Sequence, residues 1–246
     1  MNDSRKPLLT AEWRELALLN YEIAPALLAP RVPAGTELDS WRGRTLVSIV
    51  GFLFQDTRLF GVAIPLHRDF EEVNLRFYVR RKAADGWRRG VVFVKELVPR
   101  RAIALAARAL YNEPYTAVAM SHRIETGTSG RSARYAWKFR GREHSLRVQG
   151  EGEPSTIVEG SEEEFVAEHY WGYTRQRDGS TLEYEVEHPR WRIRPAREAV
   201  LDCDVRALYG AEFERVLTAT PTSAFLAEGS AVRVHRGVRL PSSARP

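Results

Sequence analysis

Between Phe70 and Tyr78 the chain reads Phe-Glu-Glu-Val-Asn-Leu-Arg-Phe-Tyr. From Glu72 onward the residues alternate, with Val73, Leu75, Phe77 and Val79 on one side and Glu72, Asn74, Arg76 and Tyr78 on the other. That two-residue period belongs to a strand with one apolar and one polar face. Facing a pocket, the polar row could do chemistry. Arg76 could clamp a carboxylate through two parallel N–H bonds, Glu72 could carry a proton if burial raised its pKa, and Asn74 and Tyr78 could orient an oxygen. On a solvated face the same row would be decoration, its ion pairs worth less than about 1 kcal/mol. Alternation does not decide between the two.

Other candidate groups are few. Of the four lysines, Lys95 shares an apparent strand face with Phe93 and Leu97, the surroundings that depress an amine pKa. Bringing it near 7 means favouring the neutral form by roughly 4 to 5 kcal/mol, and a lysine near a strand end ordinarily reaches for water. Lys6, Lys82 and Lys138 fall in a tail, a turn and a wet face. His188 follows Leu182, Tyr184 and Val186 in the alternation, so parity turns it inward, as a core histidine or a base. His169 beside Glu168 invites a metal, but two ligands in sequence make no site, and no metal is expected. Neither a Gly-x-Ser-x-Gly elbow nor a glycine-rich phosphate loop is present, and no cofactor is expected.

Composition narrows the class. A chain of 246 residues, 43% hydrophobic, can bury a sizeable core. Cys203 is the single cysteine, which excludes an internal disulfide and a multi-cysteine zinc site. The net charge of +5 rests almost wholly on arginine, spread along the chain without a nucleic-acid motif. Arg80, Arg81, Lys82, Arg88 and Arg89 flank Ala83-Ala84-Asp85-Gly86 and read as a solvated hairpin tip. Apolar runs are far shorter than the roughly 20 residues that span a bilayer, and the first residues lack a leader's apolar region. The expectation is a soluble cytoplasmic protein whose partner is a small molecule, with neither nucleic acid nor membrane, and with homo-oligomerisation open.

The elements that must position these groups follow from pattern. Residues 1–10 and 241–246 read as frayed tails. Trp13, Leu16, Ala17 and Leu19 have helical spacing within Ala11 to Tyr21, with Thr10 as N-cap. Prolines 25, 30 and 33 restrict the next stretch to a turn and a loop, and Arg44 to Gln55 reads as a strand buried on both faces. The row at 72–78 then pairs with Val91 to Leu97 across Asp85-Gly86. A helix covers Arg100 to Tyr111 until Asn112 and Pro114 stop it. Strands are predicted at 118–125, 131–140 and 143–149, a helix opened by Ser161 and Glu164 through Tyr170, a strand at 182–188, a helix at 204–217 and final strands over 221–240. Mostly meander-connected strands with a few helices make an antiparallel barrel or sandwich with helices outside.

Glu72-Val-Asn-Leu-Arg-Phe-Tyr-Val79, Gly90-Val-Val-Phe93, the helix end Ala107 to Tyr115 and His188-Pro-Arg-Trp191 carry a resemblance. Over roughly residues 8–240 the chain resembles the DUF2071 (YqjF-like) family of uncharacterised bacterial proteins, related to the acetoacetate decarboxylase superfamily. The resemblance implies an α+β fold, a cone-like antiparallel β-barrel with surrounding helices and an internal cavity, in one domain over 1–246. Those decarboxylases form a Schiff base through a lysine in a Gly-Arg-Glu... Pro-Lys-Lys segment. Here Arg108 and Pro114 fit, whereas Tyr115 and Thr116 stand where the lysines belong, and neither can form an imine. The expected function is binding of a small acidic or carbonyl compound by Glu72, Asn74, Arg76, Tyr78 and Tyr115, with Glu72, Lys95 and His188 as candidates for catalysis. The alternative is a non-catalytic sensor, or a structural homodimer with a filled barrel.

Overall fold

The computed structural model describes residues 6–128 and 130–240. The chain enters through β1 (Leu9–Glu22), a short α1 (Pro25–Leu28) and a 3-10 turn, then β2 (Glu37–Leu38), β3 (Leu46–Leu59) and β4 (Val62–Ala63). β5 (Phe70–Ala83) and β6 (Gly86–Val98) form a long hairpin, followed by α2 (Arg101–Tyr111) and β7 (Tyr115–Ala117). β8 (Met120–Gly127), β9 (Gly130–Phe139) and β10 (Arg142–Glu151) form a meander, then come β11 (Ser155–Thr156), α3 (Glu162–Ala167), β12 (Trp171–Arg175) and β13 (Thr181–Glu187). β14 (Arg192–Asp202), α4 (Val205–Tyr209), α5 (Ala211–Leu217), β15 (Ser223–Val234) and β16 (Val238–Leu240) complete it.

Seven strands close on themselves in the order β13-β12-β6-β5-β3-β1-β15, with β15 pairing back to β13. Closure removes the exposed edges that an open sheet would have to protect. The barrel expected from the resemblance is therefore present, although β12 and β7 pair with β6 in parallel, so it is not purely antiparallel. β14 leaves the barrel wall and carries β10, β9 and β8 as an outer layer. Two cores result. One lies inside the barrel around Leu16, Val50, Phe52, Phe70 and Trp191. The other lies between wall and outer layer, where Val73, Leu75, Phe77 and Val79 of β5 pack with Tyr135, Trp137, Leu146 and Val148.

The apolar face of β5 thus covers the outside of the barrel, and the polar row points in. Glu72, Asn74, Arg76 and Tyr78 are all buried. Both faces of the strand are interior, which a two-residue alternation does not distinguish from one wet face.

Several elements depart from the sequence reading. Ala11 to Tyr21 is strand, not helix: Glu15 takes φ 56°, and the pairing with β3 shifts between Arg14 and Ala17. That bulge inserts an extra residue, so inward residues fall at the three-residue steps that mimic a helix. Arg131 grips the Glu15 carboxylate with two bonds of 2.7 and 2.6 Å, and Tyr135 donates to its carbonyl at 2.6 Å. The amino-terminal tail is shorter than expected, because Leu8 is buried and its N–H donates to the Val234 carbonyl. Residues 1–5 and 241–246 lie outside the described residues. The helix after Ser161 stops at Ala167, and Gly210 at φ 113° divides the expected 204–217 helix in two. The four arginines of the basic hairpin are paired: Arg81 and Arg88 with Glu183, Arg89 with Asp39, and Arg80 with Glu37.

One tight point of barrel closure lies between β6 and β12. Trp171 of β12 lies beside Gly90 of β6, and a Cβ on Gly90 would fall 2.5 Å from the Trp171 carbonyl oxygen and 2.6 Å from the Tyr173 ring. Backbone cannot yield there as a side chain could. Gly90→Ala is expected to destabilise the fold by about 1–3 kcal/mol in chemical denaturation. A loss below about 0.5 kcal/mol would show that this approach does not hold the barrel shut.

Candidate functional site

The barrel interior holds a cavity of about 250 Å³, so it is not packed solid. Its walls are aromatic and aliphatic, with Trp13, Phe52, Phe54, Phe93 and Trp191 among them, and α2 contributes Ile103, Ala106 and Leu110. Polar groups gather on one side: Glu72, Asn74 and Arg76 from β5, Glu96 from β6, Glu113 and Tyr115 from the segment after α2, Tyr184 from β13 and His169.

Local geometry explains this convergence. Asn74 lies directly across from Glu96 in the β5–β6 ladder. The α2 helix ends at Asn112, which adopts the left-handed conformation at φ 57° and donates from Nδ2 to the Arg175 carbonyl, a common helix stop. The chain then runs through Glu113 and Pro114 into β7, setting Tyr115 beside Glu96. Tyr184 enters over Gly172, where a Cβ would sit 2.0 Å from its ring.

Each carboxyl is tethered differently. Glu72 accepts from Asn74 Nδ2 at Oε1 and from Tyr115 OH at Oε2, both at 2.9 Å. Glu113 Oε1 accepts from Tyr184 OH at 3.0 Å and from Thr174 Oγ1. Glu96 stands within hydrogen-bonding reach of Glu113 and Tyr115, so a proton can be shared between the two carboxyls, whereas Asn74 Oδ1 and Arg76 Nε have no partner within the protein. Arg76 Nη2 donates to the Val166 carbonyl at 3.2 Å.

Burial dominates the protonation of this cluster, since a desolvated carboxylate is costly. It raises Glu72 to about 7, opposed by the bonds from Asn74 and Tyr115 and by the charge of Arg76. Glu113 also rises to about 7 through burial, with Thr174 and Tyr184 opposing. Glu96 is pushed well above the usual carboxylate range by burial and by the neighbouring Glu113 and Glu72. At neutral pH the three carboxyls therefore hold exchangeable protons. His169 is driven the other way, down to about 4 by burial. Its Nε2 stands 3.8 Å from Asp39 Oδ2, which in turn accepts from Arg89 at 2.7 Å.

The predicted residues divide accordingly. Glu72, Asn74, Arg76 and Tyr115 come together at the cavity. Tyr78 shares their inward face without lining it: its hydroxyl meets Ser48 Oγ at 2.5 Å, and Ser48 donates to Asn20. His188 lies just beyond β13 at the cavity wall, stacked on Trp191 with ring centroids 4.4 Å apart and its pKa lowered by burial. Lys95 is misplaced by the parity argument. The β5–β6 register shifts between Leu75 and Arg76, so Phe93 faces inward opposite Arg76 whereas Lys95 lies opposite Leu75 on the outer face. Its pKa is lowered by partial burial and Arg140, yet none of the four lysines lines the cavity. The same bulge turns Glu96 inward, which is why simple alternation misses it. Cys203 is half-buried, its thiol pushed up to about 12 by burial, an unreactive state.

A buried carboxyl held protonated to about pH 7 weakens the fold as pH rises. The folded state binds the proton that the unfolded chain releases near 4.5, so stability falls from about pH 4.5 to 7 and levels off above. Glu113→Gln keeps the acceptor toward Tyr184 and Thr174 and turns an amide toward Glu96. It is expected to stabilise the protein by about 1–3 kcal/mol at pH 8 and by little at pH 5, as read from urea midpoints. An equal effect at both pH values would contradict the raised pKa.

Comparison with known proteins places this geometry. The profile of the DUF2071 family, described as an uncharacterized conserved protein, matches residues 10–231. The uncharacterized protein YqjF of Bacillus subtilis (strain 168) is 24% identical over 198 residues, covering 78% of each chain. Acetoacetate decarboxylase from Legionella pneumophila superposes with a TM-score of 0.67 at 13% identity, over 97% of this chain and 89% of that one. The enduracididine biosynthesis enzyme MppR, complexed with pyruvate, superposes with a TM-score of 0.66 at 11% identity, over 99% and 94%. At such identities the two structures speak for a shared fold alone, whereas the family match spans most of the chain: the protein belongs to the DUF2071 family, built on an acetoacetate decarboxylase-like barrel.

Proposed function

We propose that the barrel cavity binds a small carboxylate or carbonyl compound and that Glu72 exchanges a proton with it. The observation that carries this reading is the pairing of Arg76, whose buried Nε has no partner within the protein, with Glu72, whose pKa lies near 7. A buried guanidinium N–H calls for an acceptor, and a carboxylate or carbonyl oxygen supplies one. As charge develops on that oxygen, Arg76 stabilises it, while Glu72 takes or returns a proton at the adjacent carbon near neutral pH. The apolar walls exclude water and accept the remainder of the ligand. Binding of pyruvate by the structurally similar MppR supports the ligand class. Lysine imine chemistry has no support here, because no lysine reaches the cavity.

A second reading, a non-catalytic binder, draws on Glu72 itself: both of its oxygens already accept bonds from fixed donors. Deuterium exchange separates the two. Pyruvate incubated with the protein in D₂O should lose methyl protons by NMR, and Glu72→Gln should abolish the exchange while binding persists. Arg76→Gln should weaken binding tenfold or more. Binding without exchange would favour the sensor, and no binding would overturn the proposal. Borohydride added with acetoacetate should leave the protein mass unchanged, whereas a reduced adduct on any lysine would restore the imine route.

A further inference from the structure

The barrel wall closes, but the outer layer ends in an open strand. The sheet runs out at β16, which has three residues, and at β8, which has eight in unbroken antiparallel register with β9. That pairing has a definite phase. Just before β8 the Lys138 N–H donates to the Ala119 carbonyl, and at the far end Gly127 lies opposite Gly130 across the turn. Both ends put the odd-numbered residues of β8 in hydrogen-bonded pairs with β9. The N–H and C=O groups of Met120, His122, Ile124 and Thr126 therefore point away from β9, and no backbone bond to them is found among the described residues. Sheets commonly blunt such an edge with proline, a bulge or lysine, and β8 contains none of these. The charges it carries, Arg123 and Glu125, are opposite in sign and exposed.

Charge selects what can pair with this edge. When two β8 strands meet antiparallel about a two-fold axis, their outward groups bond only if even-numbered residues face even-numbered ones. One such register sets Ile124 opposite its own copy. It also sets Arg123 directly opposite the second copy's Glu125, and Glu125 opposite the second copy's Arg123, at the non-hydrogen-bonded positions where side chains lie closest. Sliding by one ladder step in either direction sets Arg123, or Glu125, against its own copy, and like charges directly opposite are destabilising. On the other face Ile124 and Met120 are half-buried at the margin of the core between outer layer and barrel wall, so the apolar surfaces of two copies become continuous across the axis. We infer that a second copy of this chain adds to β8 in the Ile124-centred register, joining the two outer layers into one sheet. No residue of β8 lines the cavity, so this surface and the ligand reading stand or fall separately.

Sedimentation equilibrium of the unmodified protein should approach twice the chain mass, and amide exchange at His122, Ile124 and Thr126 should slow as the dimer forms. Arg123→Glu and Glu125→Arg each set like charges opposite at both symmetric positions and should weaken association at least about tenfold. Mixed in equal amounts, the two variants should dimerise again, because every charge then faces its opposite. The double variant Arg123→Glu/Glu125→Arg should do so alone. Recovery on mixing cannot come from repaired folding, so a lost contact is told apart from a misfolded chain. A protein still monomeric at about 1 mM would overturn the inference, whether the edge stays solvated or takes another partner. So would a dimer indifferent to both charge reversals, which must use another surface, and so would single variants that stay monomeric when mixed.

Discussion

The structure depends on a strand with no wet face. β5 lies between two interiors, its valine, leucine and phenylalanine side chains packed against the outer layer and its acid, amide and guanidinium turned into the barrel. In most two-layer arrangements a polar row marks solvent. Here the outer sheet formed by β8, β9, β10 and β14 claims the apolar face, leaving the barrel lumen as the only place for Glu72, Asn74 and Arg76. Turning them inward carries a desolvation cost that must be offset by partners, and the other polar groups of the lumen answer that requirement. Tyr115 and Asn74 hold Glu72, Tyr184 and Thr174 hold Glu113, and Ser48 engages Tyr78.

What remains unmatched is as informative as what is paired. Phenol and amide groups satisfy part of the carboxyl oxygens, but one cation cannot neutralise three acids, and burial responds by keeping protons on them. The cavity therefore combines a hydrophobic volume with a proton reserve near neutrality, a pairing suited to acid–base chemistry on small molecules. His169, lowered to about 4, is neutral at that pH and adds no charge, and Asp39 is already engaged by Arg89.

Much of this was legible in the chain, and the failures have one cause. The strand at 72–78, its hairpin partner, the helix that Asn112 ends, and the fit of Ser161 as a cap, whose Oγ accepts from the Glu164 N–H at 3.1 Å, all follow from local patterns. Glu72, Asn74 and Arg76 stand out by type and spacing and Tyr115 through the resemblance, and the structure brings all four to the cavity. Bulges defeated the rest. A bulge at Glu15 gave β1 the look of a helix, and one near Val94 exchanged the faces of Lys95 and Glu96. A one-residue insertion flips every later side chain, and nothing in the identity of Glu15 or Val94 announces it. Glu113 and Tyr184 escaped for another reason: one sits in a post-helix turn, and the other hides its hydroxyl in an apolar alternation.

The central claim is that the lumen carboxyls hold protons at neutral pH, and side-chain carbon NMR of glutamate-labelled protein measures it most directly. Titrated from pH 4 to 9, two carboxyl signals should move near pH 7 and a third well above the usual carboxylate range. Each should vanish singly in Glu72→Gln, Glu113→Gln and Glu96→Gln. If every glutamate carboxyl instead titrates below about pH 5.5, close to the unperturbed range, the interior is wetter than the geometry implies and the proton-carrying role of Glu72 does not stand.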